Sequence, residues 1–374
     1  MLMDTLTRTR RSAIALDVGC TGVRAVQLQH RGQQWSTIHS SRVEARAASR
    51  DPADVPEQTD VGLAAKWGRW IEACVARAEF QGKQVSVVIS PPDVEFHTLE
   101  LPENVLVAVA EDVSAIVRGE MQRLIPDAAH LDSAAYWRLP PTSMSAPNLV
   151  SCATPSGLLE DVMRACRSAH LDCVTVDTSA TALCRFGNLL CGFDDNTIWG
   201  ILDVGYRQTR LVLCLGSVPI LVRCAGGGGQ SWTRQIAENL GISAKAAEVH
   251  KCSHGILPPS DRTSGAAPAD ERNGLGAMLF GVLRNELIPI TAEIKRSYEY
   301  ALSCYARRRP ADLMVVGGGA ALRHLPDFLS DELGIPVRPA STYLGGPDCR
   351  LGFPHSAASS LEVYALAIGL AMEE

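Results

Sequence analysis

The order of apolar and polar residues along the chain predicts short strands that alternate with helices. Between residues 61 and 78, apolar side chains recur every three or four positions, which predicts an amphipathic helix. Runs of β-branched and aliphatic residues predict strands at 13–18, 23–29, 85–90, 199–203, 209–215, 219–224 and 313–316. Strands that alternate with helices in this way are typical of an α/β fold.

One short stretch of sequence occurs in both halves of the chain. Ala15 to Gly19 reads ALDVG, and Ile201 to Gly205 reads ILDVG. In both copies a predicted strand leads into an Asp-x-Gly turn and a returning strand. Because a repeated unit folds in the same way each time, the repeat predicts two similar sheets that face each other.

The turns of the repeat have the composition of phosphate-binding loops. Gly19 and Gly205 have no Cβ, so the backbone N–H groups of each turn are able to approach phosphate oxygens closely. Thr21 and Thr209 add hydroxyl donors. An alternative is that Asp-Val-Gly is ordinary hairpin-turn chemistry in both copies, since Asp and Gly are favoured in turns.

The two aspartates of the repeat are candidate metal ligands. Asp17 and Asp203 end their predicted strands, and Mg²⁺ commonly bridges carboxylates to substrate phosphates. We therefore expect Asp17 and Asp203 to hold a hydrated Mg²⁺. Gly317 to Gly319 follow a further strand and precede a helix, which predicts a loop that packs against a base or ribose.

Composition and charge restrict the class of protein. Hydrophobic residues make up 46% of the 374 residues and charged residues 20%, which is typical of a folded globular chain. The net charge is −6 without a basic block, so nucleic acid is not expected as a partner. The twelve cysteines form no CxxC pair, which favours reduced thiols in the cytoplasm. The apolar run at 211–222 is shorter than the ~20 residues of a spanning helix, so membrane association is expected only through a partner.

The order of these segments resembles the actin-like ATPase superfamily, which includes actin, heat-shock chaperones, sugar kinases and FtsA. Within it, several stretches are similar to the PilM-type proteins of type IV pilus assembly. These stretches are Glu120 to Pro126, Gly229-Gln230 with Thr233, Leu240 to Ile242, Glu293 to Ser297, Val316 to Ala320 and Leu333 to Val337.

This resemblance implies a duplicated actin-like ATPase (ribonuclease H-like) α/β fold with a nucleotide cleft between two domains. The first domain would span 13–191 and include an inserted α+β subdomain at about 103–175. The second would span 196–374 and include a helical subdomain at about 231–310. We expect the two copies of the repeat to lie on opposite sides of the cleft.

The resemblance also implies which residues bind ATP. The first phosphate loop would consist of Asp17, Gly19, Cys20, Thr21, Gly22 and Arg24, and the second of Asp203, Gly205 and Thr209, followed by Gly228 and Gly229. Gly317, Gly318 and Gly319 would form the adenosine loop. Glu248 and Lys251 would reach the ribose and base, the alternative being a solvated ion pair. Asp177 is the candidate catalytic residue that orients water or metal.

Three departures from the family pattern bear on activity. Arg24 stands where PilM-type loops usually have Lys, and Cys20 and Gly22 replace small hydroxyl residues. A planar guanidinium holds phosphate bidentately but is not the compact charge of an ammonium. These departures predict ATP binding with at most weak ATPase activity.

The function implied is a cytoplasmic ATP-binding scaffold of a type IV pilus or related type II secretion platform. Its expected partners are the cytosolic N-terminal tail of a PilN-like inner-membrane protein, docking around residues 85–135, and other platform proteins. One alternative is a small-molecule kinase of the sugar-kinase type, which needs an Asp base beside a polar pocket. Another is a degenerate relative that binds no nucleotide.

Overall fold

A computed structural model describes residues 9–44, 62–106, 110–125, 133–142, 147–257, 271–306, 308–354 and 360–373. Within these residues, two large mixed sheets and one small antiparallel sheet make up the β-structure. Helices cover the outer face of each large sheet and also fill the space between the two sheets.

The first large sheet is formed mainly by the N-terminal part of the chain. Its strands are β1 (Arg10–Arg11), β2 (Ile14–Gly19), β3 (Gly22–Arg31), β4 (Gln34–Glu44), β5 (Gln84–Ile89), β9 (Asp172–Thr178) and β15 (Leu351–Gly352). The order is β15-β4-β3-β2-β5-β9, with β1 paired to β3. β2, β3 and β4 are antiparallel, whereas β5 and β9 run parallel to β2.

The second large sheet repeats this arrangement. Its strands are β10 (Thr197–Val204), β11 (Gln208–Leu215), β12 (Val218–Gly227), β13 (Arg309–Val316) and β14 (Val337–Pro339). The order β12-β11-β10-β13-β14 matches β4-β3-β2-β5-β9, with the same parallel and antiparallel pairings. The predicted duplication of the fold is therefore confirmed.

The helices lie in three layers around the two sheets. The helices are α1 (Leu63–Val75), α4 (Ser156–Ser168), α5 (Ser179–Cys191), α6 (Gly229–Leu240), α7 (Ala244–His254), α8 (Glu271–Cys304), α9 (Leu325–Leu333) and α10 (Leu361–Leu370). Apolar residues of α1 and α4 pack on the outer face of the first sheet, and those of α6 to α9 on the outer face of the second. α5 and α10 pack between the sheets. Strand periodicity explains this, because Leu16 faces outward to α1 and α4 while Ala15 faces inward.

The layer between the sheets is a single apolar core shared by both halves. Trp199 of β10 and Phe186 of α5 are fully buried in it, together with Ile368 of α10. α5 and α10 cross so closely that a Cβ on Gly369 would overlap the carbonyl oxygen of Ala182. The two halves are thus joined by packed side chains as well as by the chain itself.

A small unit is inserted into the first half. It contains β6 (Glu95–Leu99), β7 (Ser133–Arg138), β8 (Leu149–Thr154), α2 (Glu103–Leu106) and α3 (Ala110–Leu124). The strands are ordered β6-β8-β7. This unit differs at both ends from the insertion predicted at about 103–175: β6 already pairs within the small sheet, whereas α4 and β9 belong to the first large sheet.

The small unit also contacts the second half directly. The indole Nε1 of Trp137 in β7 donates a hydrogen bond to the carbonyl oxygen of Pro219 in β12, at 2.7 Å. The ring of Trp137 packs edge-on against Phe96 of β6. The inserted unit is therefore attached to one half by the chain and to the other by a side chain.

The long helix α8 is continuous and partly apolar. It continues through Pro289 without a break. Part of it, Gly274–Cys304, is long and apolar enough to cross a membrane by length and composition. In the fold its buried residues, such as Leu283 and Leu287, pack on the second sheet.

Candidate nucleotide cleft

The candidate site is a cleft of about 1470 Å³ between the facing ends of the two large sheets. Asp17 near the end of β2 and Asp203 near the end of β10 both line it. The predicted site residues that line the cleft are Asp17, Gly19, Cys20, Thr21, Arg24, Asp203, Gly205, Gly229, Glu248, Lys251, Gly317, Gly318 and Gly319. The structure thus brings both turns of the repeat, the glycine loop and the α7 pair to one place.

Each aspartate forms an ion pair with an arginine on the neighbouring antiparallel strand. Asp17 lies opposite Arg24, and the Arg24 Nη1 to Asp17 Oδ2 distance is 3.2 Å. Asp203 lies opposite Arg210, whose Nε is 3.2 Å from Asp203 Oδ2 and whose Nη2 also contacts that oxygen. The two pairs are equivalent positions of the repeat.

The electrostatics of the two pairs are coupled across the cleft. Burial raises the pKa of the Asp17 carboxyl, the charge of Asp203 raises it further, and Arg24 and Arg210 partly offset both effects. Burial alone would lower the pKa of the Arg210 guanidinium, but the charges of Asp203 and Asp17 outweigh it, and the pKa lies above its ordinary value. Arg210 therefore stabilises both carboxylates.

Three predicted ligands shape the loops instead of lining the cleft. Gly22 has a φ of +141°, and a Cβ there would overlap the Val43 carbonyl oxygen. Thr209 is fully buried and donates its hydroxyl to the carbonyl oxygen of Gly227 at 2.7 Å. A Cβ on Gly228 would lie 2.8 Å from backbone atoms of the second turn. The expectation that the Thr209 hydroxyl faces a phosphate is therefore not met.

The third glycine loop packs directly on the second aspartate. Gly317 has φ +83° and ψ 175°, and its N–H donates to the carbonyl oxygen of Glu362 at 2.9 Å. A Cβ on Gly317 would overlap Asp203 Oδ1 and lie 2.6 Å from the Val204 carbonyl oxygen. Gly318, the next residue, has open space around it and begins a short 3-10 helix.

This contrast predicts opposite outcomes for two adjacent substitutions. Gly317→Ala should lower the free energy of unfolding by about 1–3 kcal/mol from the backbone conformation alone, with the overlap adding to it. Gly318→Ala should change it by less than about 0.5 kcal/mol. Chemical denaturation of both variants measures this. Equal stability of the two would show that the loop does not pack on Asp203.

Glu248 and Lys251 form a network within the protein. Lys251 Nζ donates to Glu248 Oε2 at 2.7 Å, to Thr233 Oγ1 at 2.7 Å and to the Gly229 carbonyl oxygen at 3.0 Å. Although burial raises the pKa of Glu248, Lys251 and Thr233 lower it below its ordinary value. Lys251 is buried and Glu248 keeps 24% of its side chain accessible, so the pair is more enclosed than the solvated ion pair of the alternative. The network fixes α7 to the start of α6 at the edge of the cleft.

Asp177, the candidate catalytic residue, does not line the cleft. Its carboxylate accepts hydrogen bonds from the Thr178 backbone N–H at 2.7 Å, from the Thr181 hydroxyl at 2.6 Å and from the Arg185 guanidinium. These contacts hold the first turns of α5. The geometry gives Asp177 a structural environment and does not support its assignment as a base.

Sequence reasoning missed two contributors to the site. The carbonyl oxygen of Pro91, in the first half, accepts a hydrogen bond from the Gln208 side chain and lies 3.5 Å from Arg210 Nη1, both in the second half. The loop directly after a strand is a common place for binding groups. The position of Pro91 just after β5 could therefore have identified it as a candidate site residue. Arg210 also follows Gly205 by the same five positions that separate Arg24 from Gly19, so the repeat predicts matching roles for the two arginines.

The two aspartates do not have the surroundings of a Mg²⁺ site. Mg²⁺ needs octahedral oxygen coordination, but in both residues Oδ2 already accepts hydrogen bonds from a guanidinium. No group of three or more His, Cys, Asp or Glu side chains in the described part of the chain could hold a metal ion. The two guanidinium groups therefore compete with the expected Mg²⁺ for these carboxylate oxygens, and no metal-dependent step is assigned to the cleft.

Two sheets of one strand order, joined by crossing helices and facing each other across a cleft with repeated Asp-x-Gly turns, define a protein of the actin-like ATPase fold. The family model described as "Type IV pilus assembly protein PilM" matches residues 15–268. The chain belongs to this PilM family, which confirms the resemblance seen in the sequence.

Solved structures show the same fold. One, titled "PilM-PilN type IV pilus biogenesis complex", is 20% identical with a TM-score of 0.73, covering 96% of this chain and 98% of that chain. Ethanolamine utilization protein EutJ from Carboxydothermus hydrogenoformans is 13% identical with a TM-score of 0.50, covering 97% and 89%. No curated protein matches the sequence significantly.

Proposed function

We propose that the chain is an ATP-binding scaffold of a type IV pilus or related type II secretion platform, located in the cytoplasm at the inner membrane. The observation that carries the proposal is the convergence of two equivalent turns and a glycine loop on one cleft. Backbone N–H groups of Gly-containing turns form concave anion sites. A nucleotide with its phosphates between Gly19 and Gly205 and its base near Gly318 would contact both halves at once.

The proposed partner is the cytosolic N-terminal tail of a PilN-like membrane protein. The solved structure of the PilM–PilN complex concerns relatives of this family, which supports such a partner for this chain. We place the docking site on the small unit, within the described parts of 85–135. Its helix α3 exposes Ile116 and Leu124, with 39% and 47% of their surface accessible. Exposed apolar side chains of this kind favour peptide binding.

We propose nucleotide binding and switching as the primary activity, with at most weak hydrolysis. A hydrolase needs a base within hydrogen-bond reach of the attacking water. Asp177, the residue predicted for that role, is bound to Arg185 and Thr181 instead. Because ATP would contact both halves, its binding would change their relative orientation and thereby the surface presented to a partner.

The test is a pair of titrations on the full chain. ATP binding is measured by calorimetry, and binding of a fluorescent peptide with the N-terminal sequence of the PilN-like protein is measured by anisotropy with and without ATP. We expect ATP to change peptide affinity by a factor of about 5–150, the usual range of allosteric coupling. Equal peptide affinity would exclude the switch, and absence of peptide binding would exclude the scaffold.

The peptide titration has a matched control within α3. Ile116→Asp should weaken binding of the peptide, because it places a charge on the proposed apolar surface. Arg123→Gln changes an exposed residue of the same helix that pairs with Glu120, and it should leave affinity unchanged. Two measurements test the alternatives: sugar-dependent release of ADP in an activity assay would favour a kinase, and absence of ATP binding in the calorimetric titration would favour a relative without nucleotide.

A further inference from the structure

The two carboxylates that face the cleft are matched by two guanidinium groups. Asp17 pairs with Arg24 and Asp203 pairs with Arg210, and each arginine lies directly across the strand pair from its aspartate. The two pairs occupy equivalent positions of the internal repeat. The cleft therefore has an arginine from each half where a single divalent cation would otherwise neutralise both carboxylates.

The donors of Arg24 are not all used by the protein. Among the described residues, Arg24 Nε is buried and has no hydrogen-bond partner, although Arg24 Nη1 contacts Asp17. A buried donor without an acceptor is costly, and such groups in native proteins normally find one. Arg24 lines the cleft next to Gly19 and Cys20 with 19% of its side chain accessible, so a small turn of its guanidinium group would present donors to an acceptor supplied by a ligand.

A third guanidinium reinforces the positive potential at the first turn. Arg207 also lines the cleft, on the second turn of the repeat. Burial raises the pKa of the Cys20 thiol, while Arg207, Arg24 and Arg210 each lower it by their charge. The charges of three arginines thus raise the electrostatic potential at Cys20. This residue belongs to the first turn, whose backbone amides we propose to bind phosphate.

Guanidinium groups bind phosphate by hydrogen bonding and by their positive charge, whereas a metal ion binds it by coordinating the phosphate oxygens. Each presents a planar set of N–H donors that matches two oxygens of a phosphate, and its charge is present at every physiological pH. Two such groups from opposite halves can contact neighbouring phosphates while each remains paired with its aspartate. Mg²⁺ bound directly to these two carboxylates would compete with both guanidinium groups for the same oxygens.

We infer that the cleft binds the polyphosphate of its nucleotide through Arg24 and Arg210 without a divalent cation. This inference rests on the proposed function, since it specifies how the same cleft holds ATP. The phosphates would lie between the two arginines and the amides of the Gly19 and Gly205 turns. The aspartates would orient the arginines by ion pairing and would not coordinate a metal.

The test compares ATP binding to the unmodified full chain in two buffers. Calorimetric titrations are done with excess MgCl₂ and with excess EDTA. We expect dissociation constants that agree within about threefold, and no heat from a titration with MgCl₂ alone. ATP binding that is lost in EDTA would overturn the inference and leave the proposed function intact. Absence of ATP binding in both buffers would overturn the proposed function together with the inference.

Substitutions of the two arginines then test whether their N–H groups are the donors to the phosphates. Arg24→Gln and Arg210→Gln should each raise the dissociation constant for ATP in EDTA by about 10- to 100-fold, which is the effect of losing a hydrogen bond to a charged group. The double variant should bind ATP more tightly in MgCl₂ than in EDTA, since its carboxylates are freed. Arg296→Gln, an exposed residue of α8 paired with Glu293, is the charge-matched control and should bind like the unmodified chain. Unchanged affinity of both cleft variants would also contradict the inference.

Discussion

Asp203→Asn is expected to lower the free energy of unfolding by about 3–5 kcal/mol, the range for breaking a buried ion pair from one side. Asp203 has only 3% of its surface exposed, and its carboxylate accepts two hydrogen bonds from Arg210. The neutral amide leaves the guanidinium charged in a buried place with Asp17 as its remaining counter-charge. Chemical denaturation followed by circular dichroism measures the loss.

The control for this prediction is an exposed pair of the same chain. Glu120→Gln removes the partner of Arg123 on α3, at an N–O distance of 3.1 Å, and should change stability by less than about 1 kcal/mol. A double variant, Asp203→Asn with Arg210→Gln, should be more stable than Asp203→Asn alone, since it leaves no unpaired charge. If Asp203→Asn behaved like Glu120→Gln, the Asp203–Arg210 pair would be solvated and would not be the buried pair described above.

The second large effect is expected at the crossing of α5 and α10. Gly369→Ala places a methyl group onto the carbonyl oxygen of Ala182 and 3.1 Å from the Cβ of Phe186, in the core shared by both halves. Overpacking of this kind lowers stability by about 1–3 kcal/mol and sometimes more, because the helices must separate. Chemical denaturation gives the change in unfolding free energy.

The same substitution in α8 should have the opposite sign. Gly281 is exposed, and no described residue lies within 4 Å of the position of its Cβ. Gly281→Ala should stabilise the protein by about 0.5–1 kcal/mol, because alanine loses less backbone entropy than glycine on helix formation. Stabilisation by both substitutions would mean that the two central helices are further apart than the structure places them.

The sequence predicted the two large sheets because both halves contain the same unit. The repeated ALDVG and ILDVG stretches have the alternation of buried strands, and their turns contain residues that turns require. Strand β4 was missed, because Gln34–Glu44 is largely polar and shows little alternation. Its counterpart β12 was predicted, so the repeat itself contained the information for a third strand in the first half.

The end of the insertion could not be predicted from local pattern. Strand β9 and helix α4 look like any other strand and helix in the sequence. Their membership of the first sheet depends on pairing with β5 and packing on α1, which are contacts between segments far apart in the chain. Local periodicity gives the type of an element, and only long-range pairing gives its sheet.

Sequence motifs predicted which residues lie at the candidate site. They did not predict which side chains those residues contact. Glycines and aspartates were placed on the cleft by motif, and most of them line it. The partners of their side chains depend on cross-strand geometry, which set Arg24 and Arg210 against Asp17 and Asp203. For the same reason, the burial of Thr209 could not be read from its position in a turn.

The hydrogen bond from Trp137 to Pro219 has a mechanical consequence. The small sheet is covalently part of the first half and is hydrogen-bonded to β12 of the second half. It therefore links the two halves mechanically. A rotation of one half against the other either breaks this bond or tilts the small sheet. If the proposed partner docks on the inserted unit, tension applied there would accordingly reach both walls of the cleft and act on its geometry.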